Sequence, residues 1–417
     1  MKYSIYNSVI PIENKHTLLY NSLSGKFLIV KKRIIKLDDE LIRSLKNHDD
    51  LLNKFYETGI VVDDNYDEIA EVRKRIVKAD YNPDVLIVHI NPTVDCNFKC
   101  WYCYEKHLKK SFMDKNVILS VQKFISKKVC EGRIKRLELG FFGGEPLLYF
   151  KRIVVPILAY CNKVCKRCGV DLAVNFTSNG YLLTTEIIDF LNHFNCSFQI
   201  TLDGHKPFHD RTRYPSINVG TYDKIVANII DLAMNKIDVI VRINYTVQNS
   251  GSLSKILGSF EDLPKHYKEF IRFDFQRVWQ DSLNKFDEIN MRVKSIRLLF
   301  KRKGFVVLDN YILHDVSCSC YADKRNYVLI NYDGMVYGCT ARDFAKENSI
   351  GRLNSLGVID YKKDVVELRN SIKFSKGICW TCRIAPICGG GCKQKAYETL
   401  DINGPKGDCP WRTDAAA

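Results

Sequence analysis

Three cysteines at C-x3-C-x2-C spacing, Cys96, Cys100 and Cys103, are the residues of this chain best suited to demanding chemistry. Thiolates are soft ligands that suit iron–sulfur clusters or zinc. Three of them closing on a four-iron cluster leave one iron open to a substrate or cofactor. They directly follow an apolar run, Val85-Leu86-Ile87-Val88-His89-Ile90, that reads as a buried strand. A second apolar run, Leu137-Glu138-Leu139-Gly140-Phe141-Phe142, ends in Gly143-Gly144-Glu145-Pro146. A zinc knuckle or a redox pair would also use the cysteines, but neither gives Gly-Gly-Glu-Pro a task.

Together the two motifs resemble those of the radical S-adenosylmethionine (SAM) enzyme superfamily. The resemblance implies that Cys96, Cys100 and Cys103 hold a [4Fe–4S] cluster. It also implies that Gly143, Gly144 and Glu145 meet the methionyl amine of SAM, and that Tyr102 packs on the adenine. Ser178 and Asn179, in Thr177-Ser178-Asn179-Gly180, would face the SAM carboxylate or ribose. Asp203, in Thr201-Leu202-Asp203-Gly204, would close the pocket, and Arg213, at D-x-x-R spacing from Asp210, would pair with the carboxylate. A planar guanidinium fork matches two carboxylate oxygens. Asn-Gly and Asp-Gly are equally ordinary turn chemistry. Arg242 and Asn244 point either at substrate or merely into the filling of a barrel.

Positioning these loops requires a regular scaffold. From residue 85 the chain alternates strand and helix, which predicts parallel strands with crossover helices. Strands are expected at 86–92, 137–142, 171–177, 197–202, 238–247 and 270–278, with helices at 114–130, 149–167, 184–194, 221–235 and 252–262. The expected fold is therefore α/β. Six units fall short of a closed eight-stranded barrel and match the partial (β/α)6 barrel of radical SAM enzymes, with chemistry at the C-terminal strand ends.

Upstream, strands are expected at Tyr3–Val9, Thr17–Asn21, Phe27–Lys31 and Ile60–Val62. Helices are expected from Leu37 with Asp38 as cap, over Asp49–Thr58, and over a charged linker Glu68–Lys78. This unit resembles the winged-helix-like precursor-recognition domain of peptide-modifying enzymes, which implies a leader peptide bound as an added strand. A structural extension without a ligand is the plainer alternative.

A second cysteine field follows the barrel. Its order, Cys320-x13-Gly334-x4-Cys339, then Cys379-x2-Cys382-x5-Cys388-x3-Cys392, then Cys409, resembles the SPASM domain of radical SAM enzymes. The resemblance implies two auxiliary [4Fe–4S] clusters, making three in all. Cys379, Cys382, Cys388 and Cys409 would hold one; Cys320, Cys339 and Cys392, with Cys318 as fourth ligand, would hold the other. A four-cysteine zinc ribbon over Cys379 to Cys392 is the competing reading, and it leaves Cys320, Cys339 and Cys409 without purpose. Cys161, Cys165 and Cys168 repeat the first spacing inside a helix, and with Cys130 and Cys196 they read as ordinary thiols. The expected domains are residues 1–80, 81–300 and 301–414, with 415–417 an added alanine tail.

The 417 residues are 46% apolar and carry 16 cysteines and a net charge of +15. No apolar run reaches the ~18 residues that span a bilayer, and Met1-Lys2-Tyr3-Ser4-Ile5 lacks a signal-peptide core. A cytoplasmic location follows, where disulfides are rare and metal is the default use of so many thiols. Basic runs interleaved with aromatics are absent, which argues against nucleic acid. The surplus charge suits cluster anions, acidic peptides or an acidic electron donor such as flavodoxin or ferredoxin. The expected function is a peptide maturase that generates a 5′-deoxyadenosyl radical and oxidatively crosslinks side chains of a ribosomal precursor peptide. A formylglycine-forming sulfatase maturase is the alternative. Such enzymes carry an Asp after the G-x4-C cysteine, where this chain has Thr340. A non-catalytic iron–sulfur scaffold is the third reading. The general base is not identifiable from sequence.

Overall fold

The structure, a computed structural model, describes residues 1–13, 16–31, 34, 37, 40, 42–43, 48–131, 134–216, 219–281, 286–308, 320–374, 379–398, 400–401 and 404–405. Asp38 and most of the helix expected around it lie outside the described residues, as do Cys318, Cys409 and the alanine tail. The described residues fall into two compact units, drawn from Met1–Asn82, Tyr311–Arg325 and Lys363–Ala417, and from Pro83–Asn310 and Asn326–Lys362. This partition cuts the chain differently from the three consecutive segments expected above. Among the described residues no helix is long and apolar enough to cross a membrane.

In the first unit, β2 (Asn7–Ile12), β3 (His16–Asn21) and β4 (Lys26–Val30) form an antiparallel meander, while β1 (Lys2–Tyr3) pairs with β5 (Val61–Val62). Period-2 alternation sends Leu19 into a core with Phe55 of α1 (Asp49–Glu57), Ile60 and Val61. The opposite face carries the row Ile10–Leu18–Ile29 and the pair Tyr20–Phe27, and Phe27 and Ile29 stay 61% and 52% exposed. Helix α2 (Glu68–Asp80) opens on Asp67, whose carboxylate accepts from the Ala70 N–H at 2.9 Å.

A second core in this unit joins sequence ends that the expected domain plan kept apart. Tyr6, Leu23, Val72 and Ile76 bury against Phe374 and Ala385, with Cys379, Trp380 and Cys382 packed on them. Trp380 stacks on Phe374 at 4.4 Å, lies under the Arg73 guanidinium at 4.6 Å, and its carbonyl accepts from Tyr6 Oη at 2.8 Å.

In the second unit, the six expected parallel strands form in order as β6 (Val85–Ile90), β7 (Arg136–Phe141), β8 (Asp171–Ser178), β9 (Asn195–Leu202), β10 (Asp238–Tyr245) and β11 (Ile271–Arg277). The sheet then extends at both edges. The short β12 (Val306–Val307) joins β11, and β13 (Tyr327–Ile330) pairs parallel with β6 before the antiparallel β14 (Met335–Tyr337), β15 (Gly351–Leu353) and β16 (Ile359–Tyr361). Phe141, Phe176 and Phe198 stack across β7, β8 and β9 with ring centroids 5.0 and 4.9 Å apart, which fixes the shared register.

Helix α3 (Lys115–Cys130) crosses from β6 to β7, and α4 (Val155–Cys168) from β7 to β8. The helix expected from residue 149 begins late, because Pro146 opens a 3-10 turn and a π turn follows over Phe150–Val154. The segment expected as helix 252–262 is a 3-10 stretch, Ser250–Ser259. Gly251 and Gly258 within it lower its helix propensity.

Candidate active site

The cysteine loop leaves the C-terminal end of β6. Asp95 anchors it, accepting from Lys109 Nζ and the Lys110 N–H at 2.8 Å each, while Lys109 also donates to the Cys96 carbonyl at 2.6 Å. Burial works against the Asp95 charge, yet these donors hold its carboxyl below the usual range. Cys96 is buried, Cys100 half-buried and Cys103 exposed. Burial pushes the Cys96 thiol up to about 12 and the Cys103 thiol to about 11. Such thiols keep their protons unless a cation replaces them, and that is how a metal binds cysteine. Among the described residues, no three ligand-type side chains stand ready around one point. The donor set itself, three thiols on one loop, suits an iron–sulfur cluster.

Gly144 lies against this loop. A Cβ there would sit 2.1 Å from the Asp95 carbonyl, and its φ of +47° is in the left-handed region. The Glu145 N–H donates to that same carbonyl at 2.9 Å. Glu145 itself is fully buried. Its carboxylate accepts from Ser178 Oγ at 2.8 Å, the Asn179 N–H at 2.8 Å and the Leu147 N–H at 3.0 Å. The ends of β7 and β8 are thus tied together through one carboxylate. Asn179 Nδ2 in turn donates to Asn97 Oδ1 at 2.8 Å, inside the cysteine loop.

A second network holds the other expected residues. Tyr102 Oη donates to Asp203 Oδ1 at 2.8 Å and accepts from Arg213 Nη1 at 2.8 Å and Asn244 Nδ2 at 3.1 Å. Burial raises the Asp203 carboxyl, and Arg213 pulls it back. Buried His209 orders this strand end, bonding the Asp203 N–H at 3.2 Å and Thr221 Oγ1 at 3.1 Å. Asp210 accepts from the Thr221 and Tyr222 N–H groups, so its D-x-x-R spacing positions a helix start rather than Arg213 directly.

Among the described residues, Asn97 Nδ2, Asp203 Oδ2 and Arg213 Nε are buried in this region without a hydrogen-bond partner. Buried polar groups rarely stay unpaired. A zwitterionic nucleoside cofactor offers carboxylate, amine and hydroxyl groups that match a donor, an acceptor and a guanidinium. The residues present therefore fit SAM beside an iron–sulfur cluster.

All eight residues expected around SAM thus gather at the C-terminal ends of β6 to β9. Sequence reasoning missed Asn97, His209 and Glu105, and left Asn244 undecided. Glu105 Oε2 accepts from the Gly144 N–H at 2.7 Å, and burial raises its carboxyl to about 7. A glutamate two positions past a cysteine carries no pattern that marks it. Glu105→Ala is expected to weaken SAM binding roughly tenfold by freeing the Gly143-Gly144 turn. Iron content should stay unchanged, and calorimetric titration of the cluster-loaded protein checks the affinity.

The later cysteines divide between the units. Cys320, Cys379, Cys382, Cys388 and Cys392 belong to the first, and Cys339 to the second. Backbone N–H groups point at two of these sulfurs, from Lys395 to Cys392 at 3.4 Å and from Ala341 to Cys339 at 3.3 Å.

Residues 90–263 match the Radical SAM superfamily, so the chain carries a radical SAM domain. It is 23% identical to the radical SAM cyclopropyl synthase TigE of Paramaledivibacter caminithermalis, over 93% of this chain and 89% of that protein. It is 24% identical to a cysteine-type anaerobic sulfatase-maturating enzyme of Clostridium novyi, over 72% and 85%. Its fold resembles Streptococcus suis SuiB bound to precursor peptide SuiA, with TM-score 0.56, 14% identity and 97% of both chains covered. It also resembles anSMEcpe with bound AdoMet, with TM-score 0.59, 19% identity and 75% and 90% covered. The family implies one [4Fe–4S] cluster and SAM as cofactor, and an enzyme.

Proposed function

We propose that this chain is a radical SAM peptide maturase that oxidatively crosslinks side chains of a ribosomal precursor peptide. The observation carrying this reading is that likeness to TigE and to SuiB bound to its precursor peptide covers 93% and 97% of this chain, whereas the sulfatase maturases match about three quarters of it. When bound, SAM and the reduced cluster supply a carbon radical able to remove hydrogen from an unactivated carbon. Cys96, Cys100 and Cys103 would hold the cluster. The Gly143-Gly144 turn, propped by Glu105, would admit the SAM amine; Arg213 and Asn179 would hold its polar ends, and Tyr102 would serve the adenine side. Burial of these groups keeps water away from the reacting carbon.

Residues 1–80 then act as the winged-helix-like leader-recognition domain. A leader strand would pair along an exposed edge of the β2–β4 meander, with Phe27 and Ile29 of edge strand β4 accepting its apolar side chains. Residues 301–414 act as the SPASM domain, with two auxiliary clusters on the cysteines assigned above, including Cys318 and Cys409. Such clusters would offer the substrate electron an exit route. A cytoplasmic flavodoxin or ferredoxin would reduce the SAM cluster.

Anaerobic co-expression with a small cysteine- or glycine-rich peptide encoded beside the gene tests the reading. The expected result is a peptide that has lost hydrogen by mass and carries an internal crosslink dependent on its leader. A second reading, formylglycine formation, is favoured by the TM-score of 0.59 to anSMEcpe. It predicts instead an aldehyde on a sulfatase-derived peptide. Absence of 5′-deoxyadenosine from SAM and dithionite would leave only the scaffold reading.

A further inference from the structure

Cysteines that the three clusters do not use cover part of the helical layer of the second unit, and two of them meet. Cys130 ends α3 and Cys168 ends α4. Their Sγ atoms stand 3.2 Å apart, closer than two unbonded sulfurs normally settle. Cys130 is exposed and Cys168 half-buried, while Cys161 and Cys165 are buried beneath. Arg167 Nη2 donates to the Cys130 sulfur at 3.3 Å, and Ser126 Oγ lies 3.9 Å from it. Both helices run back against the parallel strands, so their C-terminal ends lie at the strand N-termini, opposite the cysteine loop.

We propose that Cys130 and Cys168 form a redox-active dithiol that closes into a disulfide on meeting a low-molecular-weight disulfide, at the end of the sheet remote from the catalytic loop. Reactive cysteines sit in partly exposed, electropositive surroundings, whereas buried ones are inert. Cys130 meets that description and Cys161 does not. The Cys168 thiol, and then Arg167, hold the Cys130 thiol below its usual range, while Cys168 is raised by its contact with Cys130. Cys130 is therefore the attacking thiolate and Cys168 the resolving thiol.

The Cys130 thiolate attacks one sulfur of the small disulfide, forming a mixed disulfide and releasing one small thiolate. Cys168, losing its proton to solvent, then attacks the Cys130 sulfur and expels the second thiolate. The two protein thiols lose two electrons and two protons, and the small disulfide is reduced to two thiols.

The test exposes the cluster-loaded protein anaerobically to oxidised glutathione, followed by acid quench, alkylation with N-ethylmaleimide and peptide mass spectrometry. The expected first product is a peptide pair linked through Cys130 and Cys168, formed with iron content unchanged. Cys168→Ser should trap glutathione on Cys130, and Cys130→Ser should leave Cys168 alkylated. Arg167→Gln should slow capture several-fold at neutral pH, and Arg167→Lys should restore most of the rate. Full alkylation of both cysteines in the wild type, linkage to Cys165 instead, or equal glutathione capture by Cys168 in Cys130→Ser would each overturn the proposal.

Discussion

Cys100→Ala is expected to abolish 5′-deoxyadenosine formation from SAM and dithionite. Cys100 is the middle cysteine of the C-x3-C-x2-C loop proposed to hold the cluster, and the Cys103 N–H donates to its carbonyl at 3.2 Å, so the two residues share one turn. Burial raises the Cys100 thiol, and the guanidinium of Arg213 opposes this. Removing it leaves two thiols, too few to fix a four-iron cluster with a single open iron. The substitution itself deletes one small side chain from a loop pinned independently by Asp95 and Lys109, so the fold should survive. Circular dichroism and iron analysis separate loss of cluster from loss of fold, and Cys165→Ala serves as the matched control that keeps turnover. Retained SAM cleavage in Cys100→Ala would remove this loop from the catalytic role.

The cysteine loop was legible in sequence because its pattern is local. Three thiols within eight residues and a Gly-Gly-Glu after the next strand are read without knowing the fold. The six parallel strands were equally legible, since β6 to β11 are apolar runs separated by helical periodicity. What sequence could not give were partners distant in the chain. Strand β13 is four residues long and finds β6 from far downstream. Glu105 props Gly144, and Asn244 reaches Tyr102, through side chains whose types signal nothing alone. The grouping of distant stretches into one core was hidden for the same reason. Periodicity marks elements, but it does not reveal that Tyr6 and Val72 share a core with Phe374 and Ala385. Leu37 to Leu45, the first expected helix, lies largely outside the described residues.

That shared core leads to the second large effect, which Lys373→Ala should produce. Lys373 Nζ lies 3.3 Å from Asp80 Oδ2 and 3.2 Å from Asp323 Oδ2, and the Lys373 and Asp323 side chains are 7% and 6% exposed. Asp80 ends α2, Asp323 lies three residues after Cys320, and Lys373 precedes the Cys379 segment. One ammonium therefore links three stretches of chain within the first unit. The neighbourhood has little room for imbalance: Lys393, also buried, has its amine lowered by desolvation, with Asp323 and Asp80 opposing the shift. Deleting Lys373 leaves two carboxylates facing each other in low dielectric, and breaking a buried pair from one side costs about 3–5 kcal/mol. The adjacent Phe374 holds a left-handed φ of 58° while stacked on Trp380, so relaxation there would also loosen the packing around Cys379 and Cys382. Thermal unfolding should show an early transition for the first unit, with the second unit melting as in the wild type. Adding Asp323→Asn to Lys373→Ala should recover part of the loss, because it removes one of the stranded charges. An unchanged melting profile in the single variant would mean that water, rather than Lys373, neutralises this pair of carboxylates.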